Sequence, residues 1–385
     1  MVLGSATPSM ASLFGAKKGK SNFLSLSQRP SGASLPKVKV LDMKQYKSAM
    51  KGPIAIPIYE AISEALEKEE QAILLYNRRG FSSYLQCENC GEIPECPNCS
   101  VSLTFHKNKK QLRCHYCGYS ERQPSMCSDC GQNSVVPQGG GTQQLEEQIS
   151  ELFPEANILR MDYDTTSGKD AHSKILKKFG RKEADILVGT QIVAKGMDFP
   201  DVTVVGVIDA DTELAFPSFR SSERMYQLLS QVAGRSGRAD KEGRVFFQTW
   251  QPDHPAIELA KEHDYKSFAR QELAYRKMLQ YPPYSRLIRF VFKGKNENRV
   301  QDVATTFTES VTEILGSFES VLGPSPSAIT KMQNFYRWES FIKIDRTNGA
   351  GVIEQMLDKT FDHYDKRKPR GASSVRINVN VDALE

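Results

Sequence analysis

No cysteine stands outside residues 87–130 of this 385-residue chain, and all eight stand inside that stretch. A secreted disulfide scaffold, which spreads its cysteines along a shorter chain, is thereby excluded. No apolar run approaches the roughly 18 residues a spanning helix needs, so no membrane partner is expected. The N-terminus lacks the charged-then-apolar pattern of an export signal, which makes the cytoplasm the expected compartment. The phosphate-cradling pattern G-x-x-x-x-G-K-[ST] is missing as well. Acid is missing from residues 1–41, which carry Lys17, Lys18, Lys20, Arg29, Lys37 and Lys39. That stretch reads first as a flexible basic linker, with phosphate tracking as the other reading.

What is present describes a globular protein. Hydrophobic residues make up 39% and charged residues 25%, with a formal net charge of +5, so two or three cored domains fit the length. From residue 37 short apolar runs alternate with helical periodicity. Strands are expected at 37–43, 71–77, 157–162, 185–190, 202–209 and 244–250, and helices at 58–70, 141–153, near 170–180 and at 220–233. This is an α/β pattern, a parallel sheet covered on both faces. Ligands in such sheets sit at loops leaving the carboxyl ends of strands. Arg78-Arg79-Gly80, Thr190–Asp198 and Asp209–Asp211 are all expected there. After Pro255 a helix at 264–278 leads to strand 285–293, helix 297–315, strands 318–322 and 335–344, helix 350–362 and strand 374–381. That order, β-α-β-β-α-β, is the split βαβ arrangement of an α+β domain.

The cysteines form four C-x-x-C pairs, 87/90, 96/99, 114/117 and 127/130. Four pairs make two sites of four thiolates, each suited to a tetrahedral structural Zn²⁺, with iron–sulfur clusters as the competitor. The 14 residues between Cys99 and Cys114 look like a hairpin that joins Cys96, Cys99, Cys114 and Cys117. Cys87, Cys90, Cys127 and Cys130 then close the other site, although a crossed pairing stays open. His106 and His115 are expected at the surface or supporting the sulfurs rather than binding metal. Sites closed by four cysteines have no open position and are not catalytic. Lys107, Lys109, Lys110 and Arg113, with Phe105 and Tyr116, are expected to give the insertion a basic, partly aromatic face. Single-stranded nucleic acid suits such a face, and a plain solvated hairpin tip is the alternative.

"QLLSQVAGRSGR" (227–238) puts Gln231, Gly234, Arg235 and Arg238 at the end of an apolar helix, a pattern that suits gripping a triphosphate held elsewhere. "VGTQIVAKGMDFPDV" (188–202) has Thr190 after a strand and then turns back through Gly196 and Asp198. Together with "LGSATPS" (3–9) and "NRRG" (77–80), these stretches resemble motifs III to VI of superfamily 2 helicases. The eight-cysteine insertion, "YPPYS" (281–285) and "YRW" (336–338) narrow the resemblance to the PriA family of replication-restart DNA helicases.

The resemblance implies a RecA-like second motor lobe and an ATP-dependent 3′→5′ DNA helicase that restarts stalled forks and assembles the primosome. Arg238 is then an arginine finger and Arg235 a second γ-phosphate contact, with Gln231, Gly234, Gly196 and Asp198 beside the nucleotide. Arg78, Arg79, Thr142, Thr190 and Gln191 line a DNA track, while Ser5 and Thr7 couple nucleotide state to DNA grip. Ordinary ion pairs with Asp209, Asp211 or Glu223 are the plainer reading of the arginines.

By this reading residues 1–36 are the end of the first lobe and a linker, and 37–86 with 139–254 are the second lobe. Residues 87–138 are the zinc insertion and 255–385 the C-terminal domain, where Arg337 and Trp338 are either surface contacts or packed strand residues. Walker A and B elements, and with them ATP and Mg²⁺ binding, belong to a missing first lobe, so the chain alone is expected not to hydrolyse ATP. The implied partners are single-stranded and forked DNA, the single-stranded-DNA-binding protein and primosome proteins. A non-motor adaptor that binds zinc and nucleic acid is the alternative.

Overall fold

The computed structural model describes residues 2–26, 36–76, 84–138, 142–162, 165–166, 171–190, 199–234, 242–316 and 321–381. Arg78, Arg79, Gln191, Gly196, Asp198, Arg235 and Arg238 lie outside the described residues.

Six strands form the central sheet: β1 (Lys37–Asp42), β2 (Gln71–Leu75), β3 (Ile158–Met161), β4 (Ile186–Gly189), β5 (Val202–Val207) and β6 (Arg244–Thr249). Their order is β1-β6-β5-β2-β4-β3, and every neighbouring pair is parallel. β2, β4 and β5 are buried along their whole length, the burial that continuous apolar runs require when helices cover both faces. The period of two sorts their side chains. Ile73, Leu75, Leu187, Val205 and Val207 face one core, while Ala72, Leu74, Ile186, Val188 and Val204 face the other. Helices α2 (Ile56–Glu67) and α3 (Thr142–Leu152) cover the second face.

The first face is covered by α1 (Met10–Lys17), α4 (Ala171–Gly180), α5 (Ser221–Ala233), α6 (Pro255–Lys261) and α7 (Tyr265–Met278). Three of these, α1, α6 and α7, sit elsewhere than the sequence reading placed them. Residues 10–17, read as the end of another lobe and a linker, are a helix capped by Ser9, whose Oγ accepts the Ser12 N–H. It buries Met10 and Leu13 in the core of this sheet. Residues 255–278, read as the start of the C-terminal domain, pack on the same core through Ala256, Ile257, Ala260, Phe268 and Leu273. Burial decides these placements, because each helix carries an apolar stripe that nothing nearby in sequence covers.

Beyond α7 come β7 (Ser285–Gly294), α8 (Glu297–Leu315), β8 (Val321–Met332), β9 (Phe335–Asp345), α9 (Ala350–Arg367) and β10 (Arg376–Val381). They make an antiparallel sheet in the order β8-β9-β7-β10. One face packs Ile288, Phe290, Phe292 and Ile342 against Phe307 of α8 and Ile353 and Tyr364 of α9. β8 runs well past the stretch expected to be strand, to a tight turn at Gln333 and Asn334, both with positive φ. Two such residues suit the two-residue hairpin turn whose twist matches the flanking strands. The other face of this sheet, through Leu287 and Phe341, meets the cysteine-rich insertion.

Candidate metal centres and the two edges of the motor sheet

The insertion begins and ends in one antiparallel pair, Tyr84–Cys87 against Val135–Gln138. Between them, Thr104–His106, Gln111–Arg113 and Ser120–Arg122 form a small sheet. Each C-x-x-C pair is a tight knuckle. Gly91, Gly118 and Gly131 donate backbone N–H groups to the carbonyls of Cys87, Cys114 and Cys127, and Ser100 donates to Cys96. All four residues have positive φ, which folds the chain back under the two sulfurs. Gly91 admits no side chain, because a Cβ there would lie 2.3 Å from Trp250 Cβ and 2.7 Å from its carbonyl oxygen.

The knuckles pair as two groups, Cys87, Cys90, Cys127 and Cys130, and Cys96, Cys99, Cys114 and Cys117, with the sulfurs of each group within 4.8 Å of one another. Within the first group Cys87 lies 3.6 Å from Cys130 and Cys90 3.5 Å from Cys127. In the second, Cys96 lies 3.6 Å from Cys117. Zn–S bonds of about 2.3 Å in a tetrahedron put sulfurs roughly 3.8 Å apart, so both groups fit Zn²⁺. Backbone N–H groups of Asn89, Tyr116 and Tyr119 point at sulfurs of Cys87, Cys114 and Cys117, donors that favour thiolates. The two groups are structural zinc sites in kind: four sulfurs each, and no place left for substrate.

The surroundings correct one expectation and narrow another. Phe105 and Tyr116 are buried rather than offered to nucleic acid. Tyr116 packs 4.7 Å from the Phe341 ring of β9, and Phe105 lies in the same core. That leaves Lys107, Lys109 and Lys110 on the solvent side, without a stacking platform. Of the two places expected for His115, its burial excludes the surface. Its Nδ1 lies 2.7 Å from the Pro326 carbonyl of β8, and Ser325 Oγ donates to the His115 carbonyl at 2.8 Å. Burial lowers the pKa of both His106 (to about 4) and His115. The C-terminal sheet supplies the missing hydrophobic partner for a module too small to bury these rings alone.

Among the described residues, the six-stranded sheet places Thr142 and Thr190 toward one end of its strands and Gln231 and Gly234 toward the other. β2 and β4 are neighbours, pairing Leu75 with Gly189, and Thr190 follows at their carboxyl end. α3 starts at Thr142 and leads back into β3, which puts Thr142 toward that edge. At the amino edge, β5 and β6 are neighbours, pairing Val204 with Arg244. α5, carrying Gln231 and ending at Gly234, leads to that edge ahead of β6. Thr190 lies at the carboxyl end of β4 and Val202 opens β5, and Gln191, Gly196 and Asp198 fall in the stretch between them, outside the described residues.

Ser5 Oγ accepts the Thr7 N–H at 3.1 Å, and the Thr7 carbonyl accepts Gln227 Nε2 at 3.2 Å, so this segment docks on α5. Of the carboxylates considered as partners for the arginines, Asp211 accepts the Thr249 hydroxyl and the Trp250 N–H. Burial, and then Asp209, push it up to about 7. Glu223 pairs with Arg276 and Arg220. In the C-terminal domain Arg337 and Trp338 are strand residues, Arg337 lying 3.9 Å from Glu339 and Trp338 packed beside the core.

Three known families match this chain: the helicase conserved C-terminal domain over residues 139–240, the PriA DNA helicase Cys-rich region over 96–122, and the Primosomal protein N C-terminal domain over 277–384. The replication restart protein PriA of Bacillus subtilis is 39% identical over 99% of this chain and 47% of its own length. That of Treponema pallidum is 37% identical over all of this chain and 56% of its own length. From end to end, this chain is similar to about half of PriA. Haemophilus influenzae PriA is 35% identical over 99% of the chain and 51% of its own length. The chain thus spans about half the length of the PriA relatives it matches.

Sequence reasoning missed a set of side chains that join the modules. Tyr281, quoted only as part of a motif, donates its hydroxyl to the Cys99 carbonyl at 2.9 Å. Its ring stacks on Phe219 at 4.8 Å, and Lys343 Nζ sits 3.9 Å above it. The one sequence signal was the run Tyr281-Pro282-Pro283-Tyr284, a stiff corner between domains.

Proposed function

We propose that the chain supplies the second motor lobe, the zinc module and the C-terminal domain of an ATP-dependent 3′→5′ DNA helicase that restarts stalled replication forks. The lobe comprises residues 37–86 and 139–254 with α1, α6 and α7 packed on it, the module 87–138, and the C-terminal domain the remainder. The observation that carries this reading is the division of one parallel sheet into two edges. In sequence, Arg78 and Arg79 follow β2, Thr190 and Gln191 follow β4, and Thr142 opens α3; these residues serve DNA. The stretches bearing Gly196, Asp198, Gln231, Gly234, Arg235 and Arg238 precede β5 and β6 in sequence and serve the nucleotide.

In this mechanism a partner lobe holds the triphosphate and Mg²⁺, and Arg238 and Arg235 approach the γ-phosphoryl as charge develops on it. A guanidinium so placed is worth roughly 10³–10⁵ in rate. Ser5 and Thr7, held on α5, sense the same helix from the DNA-coupling side. The two Zn²⁺ ions rigidify the module that spaces the motor from the C-terminal sheet. Single-stranded and forked DNA are the substrates, and the single-stranded-DNA-binding protein and primosome proteins are the proposed partners, met in the cytoplasm. No helix among the described residues is long and apolar enough to cross a membrane.

The test is single-strand-stimulated ATP hydrolysis by the 385-residue chain, by the chain joined to a first motor lobe upstream, and by Arg238→Ala in the joined form. Turnover only in the joined wild type supports the reading, with a fall of about 10³-fold or more in Arg238→Ala. Turnover by the short chain, or indifference to Arg238→Ala, overturns it. Salt-sensitive DNA binding with no turnover in any form leaves a zinc and nucleic-acid adaptor.

A further inference from the structure

Glu223, in the first turn of α5, is 1% exposed and carries more ties than any packing role needs. Its Oε1 accepts the Met10 N–H at 3.0 Å and Gln227 Nε2 at 3.4 Å. Its Oε2 pairs with Arg276 of α7 at 2.8 Å and Arg220 at 3.6 Å. Arg276, itself buried, also binds Glu272 at 2.7 Å, and its guanidinium lies 5.1 Å over the Phe219 ring. Phe219 stacks on Tyr281, and Tyr281 reaches the Cys99 carbonyl of the second zinc knuckle. One carboxylate therefore touches, directly or through one arginine, the segment bearing Ser5 and Thr7, the helix that ends at Gly234, and the corner that meets zinc module and C-terminal sheet.

A buried ion pair adds little stability over well-packed apolar side chains, and what it supplies is a defined geometry. The rod from Glu223 to Gly234 is eleven residues, roughly 16 Å of rigid helix, so a small tilt at one end displaces the other. We infer that Glu223 is a positioning residue: through Arg276 and the Met10 N–H it sets the angle of α5, so that DNA-side movement of the zinc module and C-terminal domain reaches the end of α5 at Gly234, which Arg235 and Arg238 follow in sequence. The inference rests on the motor reading above.

The test uses the chain joined to its first lobe, with Glu223→Gln, Arg276→Met, Arg276→Lys and the double variant Glu223→Gln/Arg276→Met. Each is scored for kcat, KM for ATP, single-strand Kd, zinc content and thermal midpoint. Glu223→Gln is expected to lower kcat by about tenfold or more while DNA affinity and zinc content hold, since small displacements of a catalytic group cost that much. Arg276→Lys should keep more turnover than Arg276→Met, and the double variant should be no worse than the poorer single. If Glu223→Gln fails to fold, Tyr265→Phe, which removes the 2.6 Å bond to the Pro8 carbonyl, takes its place with a smaller fall in kcat expected. Unchanged kcat in a folded variant, or additive losses in the double, overturns the inference. Silence of the wild type instead overturns the motor reading beneath it.

Discussion

The two four-cysteine groups share a ligand set and differ in almost everything around it. The Cys96 group is sunk in a hydrophobic core with Tyr116, Tyr281, Leu287 and Phe341, drawn from the module, the connecting corner and the C-terminal sheet. None of the four cysteines of the Cys87 group is in a hydrophobic cluster among the described residues, although Tyr84, Leu85, Ile93 and Val135 beside them are. It closes the entrance and exit strands of the insertion, and leans on the motor through the contact of Gly91 with Trp250. The Cys96 group therefore ties the module to the C-terminal sheet, and the Cys87 group lies where the module meets the end of β6. Identical inner chemistry does not imply an identical structural role, because what a closed zinc site stabilises is set by what packs on it.

The largest effect should come from breaking the Cys96 group. Cys99→Ser is expected to lower zinc from two ions per chain to about one and to destabilise by on the order of 4 kcal/mol or more, since metal and shared core are lost together. Cys90→Ser should cost the same one ion with a smaller shift of the thermal midpoint. Metal analysis and calorimetry on both variants check this, and equal shifts would remove the distinction.

Gly91→Ala probes the Cys87 group without touching a ligand. The added Cβ meets Trp250 and must also adopt positive φ. A loss of about 2–4 kcal/mol is expected, with zinc content unchanged, from overpacking and backbone strain together. A normal thermal midpoint would show that the knuckle does not rest on the motor.

Acid should sharpen the comparison least. His254 caps α6 by accepting the Ala256 N–H on Nδ1, beside a cavity of about 450 Å³ between the module's Glu92–Ser102 stretch, α5 and α7. Burial holds it to about 4, below its ordinary range. A depressed folded value means stability present above roughly pH 6.5, the unfolded value, and lost as pH falls through about 4. His254→Asn keeps a cap that does not titrate, so its thermal midpoint should fall less than that of the wild type between pH 7 and pH 5. Parallel curves would mean that this histidine is not the titrating group.

Much of this molecule was legible because the physics is local. A C-x-x-C knuckle needs only a tight turn with a residue of positive φ after it, and Cys90-Gly91, Cys117-Gly118 and Cys130-Gly131 spell that out. β2, β4 and β5 are short, mostly apolar runs, readable as strands buried on both faces without knowing their order. The β-α-β-β-α-β succession of residues 285–381 follows from the switch between the periods of two and 3.6. Less legible were α6, signalled only by Pro255 at its first turn, and α1, signalled only by Ser9.

What the sequence by itself determined was the inventory: two sets of four thiolates, an α/β sheet, a split βαβ domain, and the helix that carries Gln231 toward Gly234. Tertiary structure alone decided how the parts meet. Phe105 and Tyr116 look like a nucleic-acid platform until the sheet of Phe341 is laid over them. Glu223 and Arg276 look like two ordinary surface charges 53 residues apart until α5 and α7 bring them to 2.8 Å and bury both. The reason is physical. Local geometry is set by neighbours a few bonds away, whereas burial and ion pairing depend on contacts across tens to hundreds of residues, which no window on the sequence contains.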